Sequence, residues 1–169
     1  MRKILSAVLI LALLLVTVPT YAAEQSTTVD LTVLAPIFSV TVPTSLPITL
    51  LATGEVKVAT GASITNNSAG PVKITAIATA GSNGWQTVDY TAFDINTAKV
   101  NSKNVGLLLQ VAETIVKTTG IDSNDYATQI VLQKGVTKAL IYDAKVPAQS
   151  IALTNTQIAS VIFTLAWDD

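Results

Sequence analysis

The stretch Leu140-Ile141-Tyr142-Asp143-Ala144-Lys145-Val146 places Leu140, Tyr142, Ala144 and Val146 at every second position and sets Ile141, Asp143 and Lys145 between them. Successive side chains of an extended chain point to opposite faces, so this alternation is the mark of a half-buried strand. The same period recurs in both directions. Towards the C-terminus Val161, Phe163, Leu165 and Trp167 share one face while Ile162, Thr164 and Ala166 share the other. That register assigns Trp167 to the core. Upstream, Ile130 and Leu132 follow the polar turn Asp122-Ser123-Asn124-Asp125, and Val105, Leu107, Leu109 and Val111 form a further alternating strand.

Nearer the N-terminus the period holds over Glu55–Thr60, Ala62–Asn66 and Val72–Ala78, with Asn66-Asn67-Ser68-Ala69-Gly70-Pro71 as a concentrated turn signal. Residues 62–78 therefore read as a hairpin. A second turn, Gly81-Ser82-Asn83-Gly84, leads into Trp85–Tyr90, and the polar, aperiodic 91–103 reads as a loop with room for one helical turn. Phe38, Val40 and Val42 alternate up to Pro43; with Pro47 close behind, the next stretch reads as an edge or an irregular crossing. The earliest strand is Thr27–Leu34, in which Val29, Leu31 and Val33 face one way and Thr28, Asp30 and Thr32 the other.

From residue 23 onward the chain holds 22 threonines beside many valines and isoleucines. β-Branched side chains are stiff at χ1 and suit a pleated surface better than a helix. Short strands with frequent turn signals and no long helical period predict an all-β fold. The expectation is a single antiparallel β-sandwich of about nine or ten short strands over residues 23–169, a length that buries its own core without staples.

Residues 1–22 read differently. Arg2 and Lys3 precede the apolar run Ile4–Val16, broken only by Ser6, and Pro19 then leads to Ala22 and Ala23. That is the order of a secretory signal peptide, and thirteen residues are short of the roughly 20 needed to span a bilayer. Cleavage is expected between Ala22 and Ala23, because Thr20 is small enough for the third position back and Tyr21 is not. The mature chain would hold 147 residues with net charge −3, since Arg2 and Lys3 leave with the signal and all 11 acidic residues stay. No membrane association is expected after cleavage, and without a basic stripe there is no nucleic-acid partner to expect. An exported chain with no cysteine fits a bacterial surface, with a Gram-positive envelope as the expected compartment.

Histidine and cysteine are both absent, which removes the Ser-His-Asp triad, the Cys-His pair and the usual zinc ligand sets. No cofactor is expected and no enzyme activity. The remaining candidates for paired-carboxylate chemistry are Asp89 with Asp94 and Asp122 with Asp125, each more simply a turn residue. Asp122–Asp125 also resembles half of a calcium loop but lacks the central glycine and terminal glutamate. Leu46-Pro47-Ile48-Thr49 starts like a sortase signal, yet Leu50 stands where glycine is needed. Asn66-Asn67-Ser68 fits a glycosylation sequon, with a β-turn as the simpler account. Of the two tryptophans, Trp85 has no assigned face.

The order Val40-Thr41-Val42-Pro43-Thr44-Ser45-Leu46-Pro47-Ile48, then Ala62 through Ile74, then Gly84-Trp85, then Val161 through Asp168 resembles small secreted all-β surface proteins of Gram-positive bacteria. It is also distantly similar to WxL-type cell-wall domains, which are terminal β-domains that attach noncovalently to peptidoglycan; Trp85-Gln86-Thr87 and the reversed Leu165-Ala166-Trp167 depart from that motif. The expected function is that of a noncatalytic secreted or cell-surface structural or interaction protein, extending to a self-assembling fibre or surface-layer subunit. A cell-wall or glycan-binding module is the alternative. The expected partner is accordingly the chain itself or a cell-wall polymer. In the first case residues 23–35 are the candidate exchangeable strand, with Val29, Leu31 and Val33 as its docking row.

Overall fold

The computed structural model describes residues 37–120 and 124–168, with side chains from 126 onward in the second segment. The expected signal peptide with its expected Ala22–Ala23 cut, and the candidate donor strand with Val29, Leu31 and Val33, lie outside the described residues. Within them the fold is all-β: eleven strands and no helix, in sheets that include a curled half-barrel.

The strands are β1 (Val40–Thr41), β2 (Ile48–Leu50), β3 (Val56–Val58), β4 (Ser63–Asn66), β5 (Val72–Gly81) and β6 (Gln86–Thr87), followed by β7 (Asn104–Val111), β8 (Thr114–Lys117), β9 (Asn124–Leu132), β10 (Thr137–Lys145) and β11 (Ala159–Trp167). Six form one sheet in the order β1-β4-β10-β7-β6, with β8 also on β7; β11-β5-β9 form a second, and β2-β3 pair as a separate hairpin. All pairs are antiparallel except β6 with β7, where Gln86 lies opposite Asn104 and Thr87 opposite Val105 in parallel. The stretch that defined the period, β10, lies between β4 and β7, its Leu140, Tyr142 and Ala144 buried.

The expected 62–78 hairpin does not form. β4 pairs with β1 and β10, whereas β5 pairs with β9 and β11, so the Asn66–Pro71 segment carries the chain from one sheet to the other. A second crossing, from β9 to β10 through Gln133–Val136, turns at the same place. Asn66 joins the two. Its amide donates to the carbonyls of Gly70 and Leu132, both at 2.9 Å, its Oδ1 accepts from Ser68 N at 2.8 Å, and its backbone exchanges bonds with Val136 and Gly135. A turn-forming composition signals a reversal of direction without saying which strand the returning chain will meet, and here core burial on both sheets decided.

Two apolar clusters hold the sheets. The larger draws Ile64, Leu109, Val111, Val116, Leu140 and Tyr142 from the six-stranded sheet and Val72, Ile74, Ile77, Ile130 and Leu132 from the three-stranded one. The smaller is Trp85, Val105, Ala144 and Val146, covered by Ile48, Leu50 and Val56 of the β2–β3 hairpin. That hairpin is tied down at Tyr142, whose hydroxyl donates to Pro47 O at 2.7 Å and accepts from Ala59 N at 3.1 Å.

Strand β8 has no counterpart in the turn signals. It follows β7 through the two-residue loop Ala112-Glu113, with Val111 opposite Thr114 and Ala112 at φ 53°. Such loops normally carry glycine or asparagine, so a hairpin closed by a left-handed alanine leaves no mark in composition.

Candidate functional site

The surface feature that stands apart is the outer edge of β11. From Ala159 to Trp167 the strand contains no charged residue and no proline. It pairs along its whole length with β5, and among the described residues nothing pairs with its other side. The sequence assigned Val161, Phe163, Leu165 and Trp167 to one inward row; all four pack against the larger cluster, but they are half-buried, whereas Val72, Ile74 and Ile77 of the neighbouring β5 are sealed. A strand with one neighbour leaves the flank of its inward row uncovered. On the outward row Ile162 is 60% exposed.

The end of this edge is fastened. Trp167 meets Phe38 edge to face, with centroids 5.1 Å apart and planes at 88°. Asp168 N donates to Pro71 O at 3.1 Å, and the Asp168 carboxylate lies 3.7 Å from Lys73 Nζ in a partly exposed pair. The assignment of Trp167 to the core therefore holds only for the face it presents. Trp85, which no pattern placed, is the buried tryptophan at 5% exposure. It follows the turn Ser82–Trp85, closed by Trp85 N on Ser82 O at 2.9 Å with Asn83 and Gly84 both left-handed. The turn drives its ring inward, and a side chain at Gly81 would collide with the Trp85 carbonyl.

A second cluster sits on the outer face of the six-stranded sheet. Gly106 of β7 leaves a gap that a Cβ would close, 3.1 Å from Tyr90 Cα. Tyr90 fills it: its N–H donates to Thr118 O, its hydroxyl donates to Asp143 Oδ2 at 2.5 Å, and Lys145 Nζ lies 4.9 Å from its ring centroid while donating to Phe93 O at 3.0 Å. Burial, then the hydrogen bond to Asp143 and that residue's charge, push the Tyr90 phenol up to about 12. At neutral pH it is a fixed donor, and the cluster fastens the 89–97 loop to β10.

The carboxylates named as a catalytic pair serve their own turns. Asp89 Oδ1 accepts from Thr91 N and Ala92 N, and Asp94 Oδ1 accepts from Asn96 N, which holds Asp94 below the ordinary carboxylate range. The expected helical turn in this loop amounts to a single bond from Phe93 N to Asp89 O. Asp122 and Ser123 lie outside the described residues, and Asn124 opens β9. Asn66, the sequon asparagine, is fully buried and so is no acceptor for a glycan. Leu46-Pro47 packs beside the larger cluster and anchors Tyr142, in keeping with a proline-marked strand edge.

The Phe38–Trp167 contact escaped the sequence reading because it joins residues 129 positions apart across two chain segments. Comparison with known protein families, curated proteins and solved structures finds no match to this chain.

Proposed function

We propose that this chain is a noncatalytic structural protein of the cell exterior, exported by residues 1–22 and cut between Ala22 and Ala23, and that it assembles with copies of itself through a sheet edge. Residues 23–169 form one β-sandwich in this reading, supported by the larger apolar cluster, which takes side chains from both main sheets. The observation that carries the function is β11: a nine-residue edge strand without charge or proline, its inward row half-covered. Monomeric β-proteins usually blunt such edges with lysine, proline, bulges or a covering segment, because an open ladder recruits other strands.

The test is light scattering of the secreted mature protein over a wide concentration range, with electron micrographs of the same samples. Mass growing with concentration, and fibres or sheets on the grid, are expected. A monomer at every concentration overturns the reading. Intact mass of the secreted product should begin at Ala23, and an unprocessed chain in the membrane fraction would overturn the export step.

A further inference from the structure

We infer that the outer edge of β11 is the docking site for residues 27–34 of a second copy of this chain, laid antiparallel to β11 with Val29, Leu31 and Val33 beside Val161, Phe163 and Leu165. The inference rests on the self-assembly reading and names its contact.

Four observations converge on this edge. First, among the described residues the other edges are short or protected: β1 and β6 are two residues each, β2 and β3 three each, β8 is four and ends in Lys117, and β9, as long as β11, includes Asp125 and lies beside β8. Second, the inward row of β11 is half-buried where that of β5 is sealed, so an added strand has apolar surface to cover. Third, the eight residues 27–34 would extend about 26 Å at roughly 3.3 Å each, close to the reach of the nine residues of β11. Fourth, the segment alternates as β11 does, so one row continues the core while Thr28, Asp30 and Thr32 fall on the solvent side with Ile162 and Thr164.

The start of the described chain favours a neighbour over the segment's own fold. Phe38 touches Trp167, so the described chain begins at the C-terminal end of β11. To cover its own β11 the segment would have to lie parallel to it, in the ladder that is slightly weaker per residue, whereas a neighbour's segment can enter antiparallel like every other pair in that sheet. Ile37 is 70% exposed, so the chain meets the domain at its surface. The donor and acceptor are different parts of one molecule, so the contact repeats head to tail without closing and gives a fibre.

Because the protein has no cysteine, engineered pairs report the contact directly. Asp30→Cys is combined with Ile162→Cys in one full-length chain and with Thr164→Cys in another; each mature protein is allowed to assemble, is oxidised and is run on a non-reducing gel. A reductant-sensitive ladder of dimers, trimers and longer species in at least one is the expected result. A monomer with both thiols consumed means the strand closes its own edge, and overturns the inference. Fibres in micrographs with free thiols in both variants leave self-assembly standing and overturn β11 as the acceptor. Absence of both fibres and cross-links overturns the two together. In parallel, a chain beginning at Pro36 should bind a synthetic peptide of residues 23–35 and bind the Leu31→Lys peptide at least about tenfold more weakly, the loss expected for one buried apolar anchor. Equal binding of the two peptides would overturn the docking row.

Discussion

Strands β10 and β11 are each nine residues long and alternate with the same period, yet they end in different surroundings. β10 runs between β4 and β7, and its inward Leu140, Tyr142 and Ala144 are at most 5% exposed. β11 has β5 on one side, and its inward Val161, Phe163, Leu165 and Trp167 are all half-buried. Alternation assigns a face; it does not count neighbours. Among the described residues, the difference locates the sealed part around β10 and the half-covered part at β11.

The sharpest test of that contrast compares the two tryptophans. Trp85→Ala, in the cluster with Val105, Ala144 and Val146, should cost about 3–5 kcal/mol in denaturant unfolding, the usual range for a buried aromatic. Trp167→Ala should cost about 2 kcal/mol, since part of its ring already meets solvent. Equal losses would mean that β11 is as enclosed as the centre and would remove the contrast.

Next in size is the corner where both sheet crossings meet. Asn66→Ala leaves the Gly70 and Leu132 carbonyls and the Ser68 amide without their partner, for a loss of about 3 kcal/mol given roughly 1–3 kcal/mol per buried unsatisfied group. Asn66→Asp keeps the shape and removes the two donors, so it should lose a comparable amount. If Asn66→Asp were neutral, packing and not the donor pair would hold the corner.

A smaller effect belongs to the loop fastened on β10. The Tyr90 phenol is raised in the folded state from 10 to about 12, so its contribution to stability is complete below pH 10 and lost as pH rises through 12. Spectrophotometric titration should show one tyrosine ionising near that upper value, and Tyr90→Phe should abolish it while costing about 1 kcal/mol at neutral pH. Absence of any tyrosine ionising near 12 would mean that the Tyr90–Asp143 bond is not held in solution.

The smallest expected stability change carries the clearest functional consequence. Ile162 points outward and is 60% exposed, so Ile162→Lys should shift stability by no more than about 0.5 kcal/mol. It places a charge on the bare edge and should abolish concentration-dependent assembly in light scattering. Unchanged assembly would move the contact away from β11.

Much of this was readable in advance. The alternating runs at Val105–Val111, Leu140–Val146 and Val161–Trp167 marked β7, β10 and β11, and the doubled prolines marked the irregular approach to β2. Strand β8 was hidden because its turn, Ala112-Glu113, uses residues that give no turn signal. Trp85 was unreadable because the turn before it, and not a strand period, sets its direction. The candidate edge was half legible: the lack of charge from Ala159 to Trp167 is in the sequence, while the lack of a second neighbour among the described residues is not.

The amino-acid sequence by itself determined that the described residues are all-β, which residues share a face in the regular strands, and that chemistry requiring histidine or cysteine has no means here. These follow from local stereochemistry and from residue inventory, and both are complete within a few neighbouring positions. Only the tertiary structure decided that Asn66 joins two sheet crossings where a hairpin was expected, that Trp85 is sealed while Trp167 stays half open, and that β11 has one neighbour among the described residues. Strand pairing is settled by which apolar rows exclude the most water together. That competition runs over the whole chain and leaves no mark at any single position.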